Sequence, residues 1–163
     1  MDHEIMGNPS FPIIVFHNVV SPKGCTDFVK IASGMGFKTL IITHAQGSAA
    51  QRGLPAAQKL ALKSDVNFMS LLDIDDVKEL FQPEMVIVVA PAPYGKQNLT
   101  EDFLDKIREK RYAIVFGGND PGLSRKDLEK GEEIVQIPAG DLGSIGILTL
   151  GLALFTRKFK FAK

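Results

Sequence analysis

Short apolar runs recur along the chain and alternate with segments that have the periodicity of helices. A continuous apolar run rich in β-branched residues is typical of a strand that is buried on both faces of a sheet. On this pattern we predict strands at 11–16, 37–43, 66–71, 85–90, 111–116 and 134–137. The segment 44–53 is small and polar, and we predict a loop there.

Helix signals fill the intervals between the predicted strands. Asp73 and Thr100 each precede a periodic segment, and both residue types favour the N-cap position. The predicted helices span 26–35, 55–62, 74–81, 101–110, 125–130 and 144–155. The alternation predicts an α/β fold, a mostly parallel sheet with helices on both faces, and a length of 163 residues suits one domain, 1–163.

The charge balance, the cysteine count and the histidine positions exclude several kinds of function and site. The 19 basic and 19 acidic side chains cancel, which argues against a protein that coats nucleic acid through bulk charge. Cys25 is the single cysteine, so no internal disulfide can form, and a reducing compartment is expected. Because 1–9 lacks a signal-peptide pattern and no run is long enough to span a bilayer, we expect a cytoplasmic protein with no membrane partner. The histidines His3, His17 and His44 are isolated, so we predict no metal site.

Three predicted strand ends carry glycine or proline, at 90–93, 117–118 and 138–140. In a parallel sheet the carboxyl ends of the strands meet at one edge, where ligands bind. Glycine lets another backbone or a ligand approach closely, and proline removes a competing donor. The three loops are equally compatible with plain turns and with a pocket lined by main-chain groups, which would suit a flat heterocycle such as adenine.

The last predicted helix, 144–155, is apolar almost all round. Such a helix must be covered on every side, and the sheet can cover only part of it. We therefore expect a two-fold homodimer, the commonest symmetric assembly; burial within a single chain is the alternative.

Residues 114–124 form an apolar strand followed by Gly-Gly-Asn-Asp-Pro-Gly-Leu-Ser, and Val-Gln-Ile-Pro at 135–138 precedes Ser144 at the start of the last helix. In order and spacing these segments resemble the second and third motifs of the SpoU family of RNA ribose methyltransferases, within the SPOUT (SpoU–TrmD) class. Residues 18–36 are loosely similar to the first motif of that family.

The resemblance implies a trefoil knot at the C-terminal end, with S-adenosylmethionine bound there. It also implies a homodimer through the first and last helices and a tRNA or rRNA substrate. The implied cofactor-binding residues are Ala90, Pro91, Ala92, Phe116, Gly117, Gly118, Ile137, Pro138, Leu142, Ser144 and Ile145. These residues fall in the same three strand ends that the glycine and proline pattern indicates.

The polar positions of the family differ in this sequence. Lys30 stands where the family has arginine, Asn119 where it has glutamate, and Gly146 where it has asparagine. Lys30 and Asn119 are therefore the candidate catalytic residues, with Asp27 one helical turn before Lys30 as its possible partner. Asp120 and Asp141, in the predicted cofactor loops, are alternative general bases; as a plain turn residue Asp120 would have no such role.

Three functions follow from these observations. The resemblance implies an S-adenosylmethionine-dependent RNA methyltransferase, of the ribose 2′-O type, with divergent catalytic residues. The loss of the family's polar residues favours a non-catalytic SPOUT-fold homodimer that binds RNA or the cofactor. An unrelated α/β nucleotide enzyme of flavodoxin-like topology is the third, supported by the glycine-rich segment 117–124 before a helix.

Overall fold

Seven strands form one all-parallel sheet within residues 9–157, the part of the chain that a computed structural model describes. The strands are β1 (Ile13–His17), β2 (Thr39–Thr43), β3 (Asn67–Leu71), β4 (Met85–Ala90), β5 (Gln97–Asn98), β6 (Tyr112–Gly117) and β7 (Glu133–Gln136). Their order across the sheet is β3-β2-β1-β6-β4-β7-β5. A flavodoxin-like sheet places the third strand beside the first, whereas here β3 lies outside β2, so the flavodoxin-like alternative is wrong.

Six α-helices cover both faces of the sheet within the described part of the chain, as the alternation predicts. They are α1 (Pro22–Gly34), α2 (Leu54–Lys63), α3 (Ile74–Phe81), α4 (Glu101–Ile107), α5 (Arg125–Leu128) and α6 (Gly143–Thr156). Helices α1, α2, α4 and α6 pack on one face, and α3 and α5 contribute to the core of the other. None of the helices within residues 9–157 is long and apolar enough to cross a membrane.

Most predicted elements are present, and the differences have local causes. Strand β4 and helix α3 have the predicted bounds. Helix α1 begins at Pro22 rather than at residue 26, because the Ser21 hydroxyl accepts a hydrogen bond from the Gly24 N–H at 2.9 Å and caps the earlier turn. The prediction of a loop at 44–53 is wrong over Ala49–Gly53, which forms a π-helical turn. His3 and the outer ends of the predicted domain lie outside the described residues.

Helix α6 is the apolar helix that the sequence indicates. Leu148, Leu152 and Phe155 are buried, whereas other apolar side chains of the helix are only partly covered by this chain. The Arg157 guanidinium fixes the end of the helix by pairing with Asp105 at 2.7 Å and with a second carboxylate of α4. The predicted homodimer would cover the remaining apolar surface of α6, and it stays a prediction.

The contact between α6 and β6 leaves no room for a side chain on Gly151. A Cβ atom there would lie 2.5 Å from the ring of Phe116, which is fully buried in the sheet. The helix therefore rests directly on the aromatic ring, and this contact sets the distance between α6 and the sheet.

We predict that Gly151→Ala destabilises the protein by about 1–3 kcal/mol, because the added methyl group overpacks a filled core. The measurement is the midpoint of urea unfolding. Gly34→Ala, at the end of α1, is the matched control, since a Cβ atom at Gly34 meets nothing within 4 Å. Equal midpoints for Gly151→Ala and the unsubstituted protein would contradict the close contact.

Candidate functional site

The carboxyl ends of β4, β6 and β7 meet at one edge of the sheet, and the loops that follow them enclose a pocket of about 440 Å³. We call it the loop pocket. Its lining residues are Val89, Pro91, Ala92, Tyr94, Gly117, Asp120, Pro121, Gly122, Ala139, Gly140, Asp141, Leu142, Gly143, Ser144 and Ile147. Most are glycine, proline, alanine or aliphatic residues, so main chain and apolar groups form the walls.

Glycines in the loop after β6 bring backbone against backbone. A Cβ atom on Gly117 would lie 3.0 Å from the Gly122 Cα, and Gly122 has a φ of +109°, a conformation that favours glycine. A Cβ atom on Gly122 would in turn lie 3.3 Å from the Pro91 ring. The loops after β4 and β6 are therefore in direct contact, which fixes one wall of the loop pocket.

Two carboxylates hold the start of α6. The Ser144 N–H donates to Asp120 Oδ1 at 3.0 Å, and the Gly143 N–H donates to Asp141 Oδ1 at 3.0 Å. Negative side chains at this position interact favourably with the positive end of the helix dipole. Asp120 thus joins the loop after β6 to the helix that follows β7, and closes the pocket on that side.

The loop pocket carries negative charge. Among the described residues that line it, Asp120 and Asp141 are the charged ones, and none is lysine, arginine or histidine. Both carboxylates are exposed, so water and salt weaken their field, but at short range they still attract a cationic ligand and repel phosphate groups. The charge of the pocket therefore favours a positively charged ligand over a nucleoside phosphate.

The structure brings some of the sequence-predicted cofactor residues to the loop pocket and leaves others outside it. Those that line the pocket are Pro91, Ala92, Gly117, Leu142 and Ser144. Those that do not line it are Ala90, Phe116, Gly118, Ile137, Pro138 and Ile145.

Packing explains why several of the predicted cofactor residues do not line the loop pocket. Ala90, Phe116 and Ile137 are buried in the core, and the Gly118 N–H donates to the His17 carbonyl at 2.7 Å. Sequence reasoning missed Val89 and Ile147. Val89 lies near the carboxyl end of β4, and Ile147 lies in the first turns of α6. These positions in the sequence pattern are the signal that would have identified both residues.

The two predicted catalytic residues lie elsewhere. Neither Lys30 nor Asn119 lines the loop pocket, and Lys30 is on the exposed face of α1. Asp27, considered as the partner of Lys30, instead forms an ion pair with Lys23 Nζ at 2.8 Å, and the roles of Lys30 and Asn119 stay predictions. The carboxylates of Asp120 and Asp141, considered as alternative bases, are the charged groups at the loop pocket.

A second polar group, the His17 cluster, lies at the carboxyl ends of β1 and β2. The His17 Nδ1 atom is 2.7 Å from Thr43 Oγ1, and the Nε2 atom is 3.4 Å from Asp127 Oδ1. The ring of His44 stacks on His17, with centroids 5.7 Å apart. Burial lowers the pKa of His17 below its ordinary value, and this effect exceeds the opposing influence of Asp127 and Asp73.

Lys130 ties the end of α5 to the start of α3 beside this cluster. Its ammonium group lies 2.7 Å from Asp73 Oδ2 and 3.3 Å from Asp75 Oδ2. Burial alone would lower the pKa of Lys130, but the two carboxylates raise it overall. Within residues 9–157, no group of three or more histidine, cysteine, aspartate or glutamate side chains is placed to hold a metal ion.

Solved structures identify the fold. The chain is similar to the SpoU methyltransferase AviRb from Streptomyces viridochromogenes in complex with the cofactor AdoMet, with a TM-score of 0.71 and 17% identity over 93% of this chain and 59% of that one. It is also similar to the A. aeolicus TrmH/SpoU tRNA modifying enzyme, with a TM-score of 0.67 and 19% identity over 96% of this chain and 80% of that one. The chain therefore has the SPOUT fold, and at these identities the likeness shows the fold alone.

Sequence relatives identify the family. The chain belongs to the family described as "RecB-family nuclease (DUF2122)", which matches residues 47–154. It is 33% identical over 138 residues to "Putative type II restriction enzyme MjaORF1200P" of Methanocaldococcus jannaschii, covering 82% of this chain and 90% of that protein. A similarly described protein of Aeropyrum pernix, ApeKORF2002P, is 34% identical over 118 residues, or 68% of this chain and 70% of its own length.

These relatives correct the predicted function. The prediction of an S-adenosylmethionine-dependent RNA methyltransferase is contradicted, because the family and both relatives are described as nucleases or restriction enzymes. The same descriptions contradict the non-catalytic alternative. The resemblance to SpoU motifs identified the fold but not the function.

We predict that His17 makes the protein less stable in acid. Because the pKa of His17 is lower in the folded protein than the ordinary value of about 6.5 that it has in the unfolded chain, unfolding binds protons as the pH falls through this value. The free energy of unfolding should therefore fall below about pH 7, by up to about 1.4 kcal/mol per pH unit for one proton.

The measurement is the free energy of unfolding as a function of pH for the unsubstituted protein and for His17→Gln. The variant should show a shallower fall between about pH 7 and pH 5. Lys59→Gln, at an exposed position on α2 outside the His17 cluster, is the control and should leave the fall unchanged. Parallel curves for the unsubstituted protein and His17→Gln would show that His17 titrates alike in the folded and unfolded states.

Proposed function

We propose that the loop pocket binds S-adenosylmethionine. The observation that carries this proposal is a pocket with two carboxylates, no cationic side chain and walls of main chain at the carboxyl edge of a SPOUT fold. S-adenosylmethionine combines a flat adenine with a positively charged sulfonium, so its chemistry matches such a pocket. When bound, this ligand supplies an electrophilic methyl group.

Each part of the pocket has a role in this proposal. Val89, Leu142 and Ile147 supply apolar surface for the adenine ring. Backbone groups of the loops after β4, β6 and β7 supply hydrogen bonds to its edge. Asp120 and Asp141 attract the sulfonium and ammonium groups of the ligand. The Oδ1 atom of each carboxylate accepts a hydrogen bond from an amide at the start of α6. The Oδ2 atom of each forms no hydrogen bond with the described residues, so it can face the ligand.

Structural neighbours support the same ligand. Besides AviRb with AdoMet, the AdoMet-bound rRNA methyltransferase from Sinorhizobium meliloti has a TM-score of 0.64 and 12% identity over 96% of this chain and 60% of that one. The proposal concerns binding of the ligand. Methyl transfer to RNA is not proposed, since the sequence relatives contradict it.

We predict micromolar binding of S-adenosylmethionine, about −8 kcal/mol, in a calorimetric titration. ATP should bind at least about tenfold more weakly, because the carboxylates repel its phosphates. Asp120→Asn keeps an acceptor for the Ser144 N–H and removes the charge. It should weaken S-adenosylmethionine by about fivefold, and it should weaken S-adenosylhomocysteine less, because that ligand keeps the ammonium group but has a neutral thioether in place of the sulfonium.

A second variant tests the position of the ligand. A Cβ atom on Gly140 meets nothing within 4 Å, so Gly140→Leu fits the fold and adds bulk to the pocket wall. It should abolish binding of both ligands, whereas Gly34→Leu, at the opposite edge of the sheet, should bind as the unsubstituted protein does. Equal affinity for ATP and S-adenosylmethionine, or no binding of either, would refute the proposal.

Two structural features remain predictions from the resemblance. One is the trefoil knot at the C-terminal end, and the other is the homodimer through α1 and α6. Partly covered apolar side chains on α6 support the second.

A second candidate function is cleavage of DNA, which the family description and the names of the relatives favour. The pair of residues to which this candidate assigns hydrolysis is Asp75 and Lys130, whose carboxylate and ammonium groups lie 3.3 Å apart. A divalent metal does not fit this pair, because the Lys130 ammonium group already pairs with both Asp73 and Asp75 and would repel a cation, and the described residues offer no third acidic or histidine ligand there. In this candidate, Lys130 stabilises the charge that develops on a phosphate, and Asp75 orients the attacking water.

This candidate predicts that the purified protein nicks supercoiled plasmid DNA, and that Asp75→Asn slows nicking by at least about tenfold. Asp75 is largely exposed, so the variant should fold. Asp65→Asn, before β3 at the opposite edge of the sheet, is the control. Assays with Mg²⁺, with EDTA and with S-adenosylmethionine show whether nicking requires a metal ion or this ligand. Plasmid that stays intact in all three assays would exclude DNA cleavage as the function.

A further inference from the structure

A second concavity, the side groove, adjoins the loop pocket. Its volume is about 840 Å³, and it shares Pro91, Tyr94 and Pro121 with the loop pocket. The two cavities therefore adjoin at the carboxyl edge of the sheet, and the side groove continues from there between α5 and β7. A ligand in one would lie next to a ligand in the other.

The side groove has an apolar floor and a cationic rim. Leu123, Leu128 and Ile134 form the floor. Lys96 and Arg125 lie at the rim, both exposed, and neither forms an ion pair among the described residues. Glu129 is the carboxylate in this lining, so the cations exceed the anions there.

Tyr94 stands between the two cavities with its side chain 69% exposed. An exposed aromatic ring that lines two cavities offers a flat surface on which another ring can stack.

The segment that carries Tyr94 and Lys96 is fixed before any ligand binds. The Tyr94 N–H donates to the Pro91 carbonyl at 2.8 Å, and the Lys96 N–H donates to the Ile134 carbonyl at 3.0 Å. Between them, the Gly95 N–H donates to Gln136 Oε1 at 2.9 Å. A Cβ atom on Gly95 would lie 2.6 Å from the Gln136 Cβ, so the segment is pressed against β7.

We propose that the side groove binds a single-stranded nucleic acid, with a base stacked on Tyr94 and phosphates beside Lys96 and Arg125. An aromatic platform next to unpaired cations is the arrangement that binds an unpaired strand, because every base has a face that stacks and every nucleotide carries a phosphate. A duplex keeps its bases stacked inside and cannot use Tyr94. An acidic peptide would use the cations but would leave the ring and the apolar floor without a partner.

This inference goes beyond the proposed function, since the side groove needs no ligand in the loop pocket. It also differs from binding through bulk charge, because the net charge of the chain is zero and only the local excess at the groove attracts phosphate.

The test is fluorescence anisotropy with a labelled single strand of about 12 mixed-sequence nucleotides, without S-adenosylmethionine. The strand should bind, and the matching duplex should bind at least about tenfold more weakly. Tyr94→Ala should weaken strand binding by at least about fivefold, whereas Tyr94→Phe, which keeps the ring, should retain it.

The salt dependence of strand binding tests whether Lys96 and Arg125 contact phosphates. Lys96→Gln and Arg125→Gln should each lower the slope of log affinity against log salt by about 0.7, the value for one phosphate contact on a single strand. Lys59→Gln, an exposed lysine on α2 that lines neither cavity, is the matched control and should leave the slope unchanged.

Three results would overturn the proposal: equal affinity for strand and duplex, equal affinity for an acidic peptide of similar length, or no effect of Tyr94→Ala. Lys96 and Arg125 do not line the loop pocket, so their variants should bind S-adenosylmethionine as the unsubstituted protein does. Loss of strand binding with retained cofactor binding therefore separates this inference from the proposed function.

Discussion

Close approach of backbone segments at the end of β6 controls the carboxyl edge of the sheet. Gly117 and Gly122 lie so near each other that a Cβ atom on Gly117 would be 3.0 Å from the backbone opposite, and Pro91 packs against Gly122 from the next loop. Because no side chain fits between these loops, glycine, proline and alanine make up much of the lining of the cavity beside them. Asp120 then closes it by capping α6.

Two neighbouring cavities of opposite charge follow from this arrangement. The loop pocket has carboxylates and no cationic lining side chain, whereas lysine and arginine form the rim of the side groove. Tyr94 lies on the boundary and is held there by hydrogen bonds of the segment that precedes β5. A cationic small molecule would therefore bind in the loop pocket and a polyanionic strand in the side groove, with the side chain of Tyr94 between the two sites.

Fold and family give different indications for this protein. The fold is that of SpoU and TrmH-type methyltransferases, whereas the family is described as RecB-family nucleases. One architecture can support unrelated reactions, because chemistry depends on a few side chains placed on it. Here the positions that differ from the SpoU motifs, such as Lys30 and Asn119, do not line the loop pocket, while Asp120 and Asp141 do.

Features that depend on local pattern could be predicted from the amino-acid sequence. Apolar runs predicted the buried strands, Asp73 predicted the start of α3, and glycine and proline at three strand ends predicted where loops would converge. Tertiary structure alone decided the rest. Strand β5 has two residues and exists through its hydrogen bonds to β7, and Asp120 bonds an amide 24 residues further along the chain. Such contacts join distant segments, and their geometry depends on how the helices pack on the sheet, which no local pattern records.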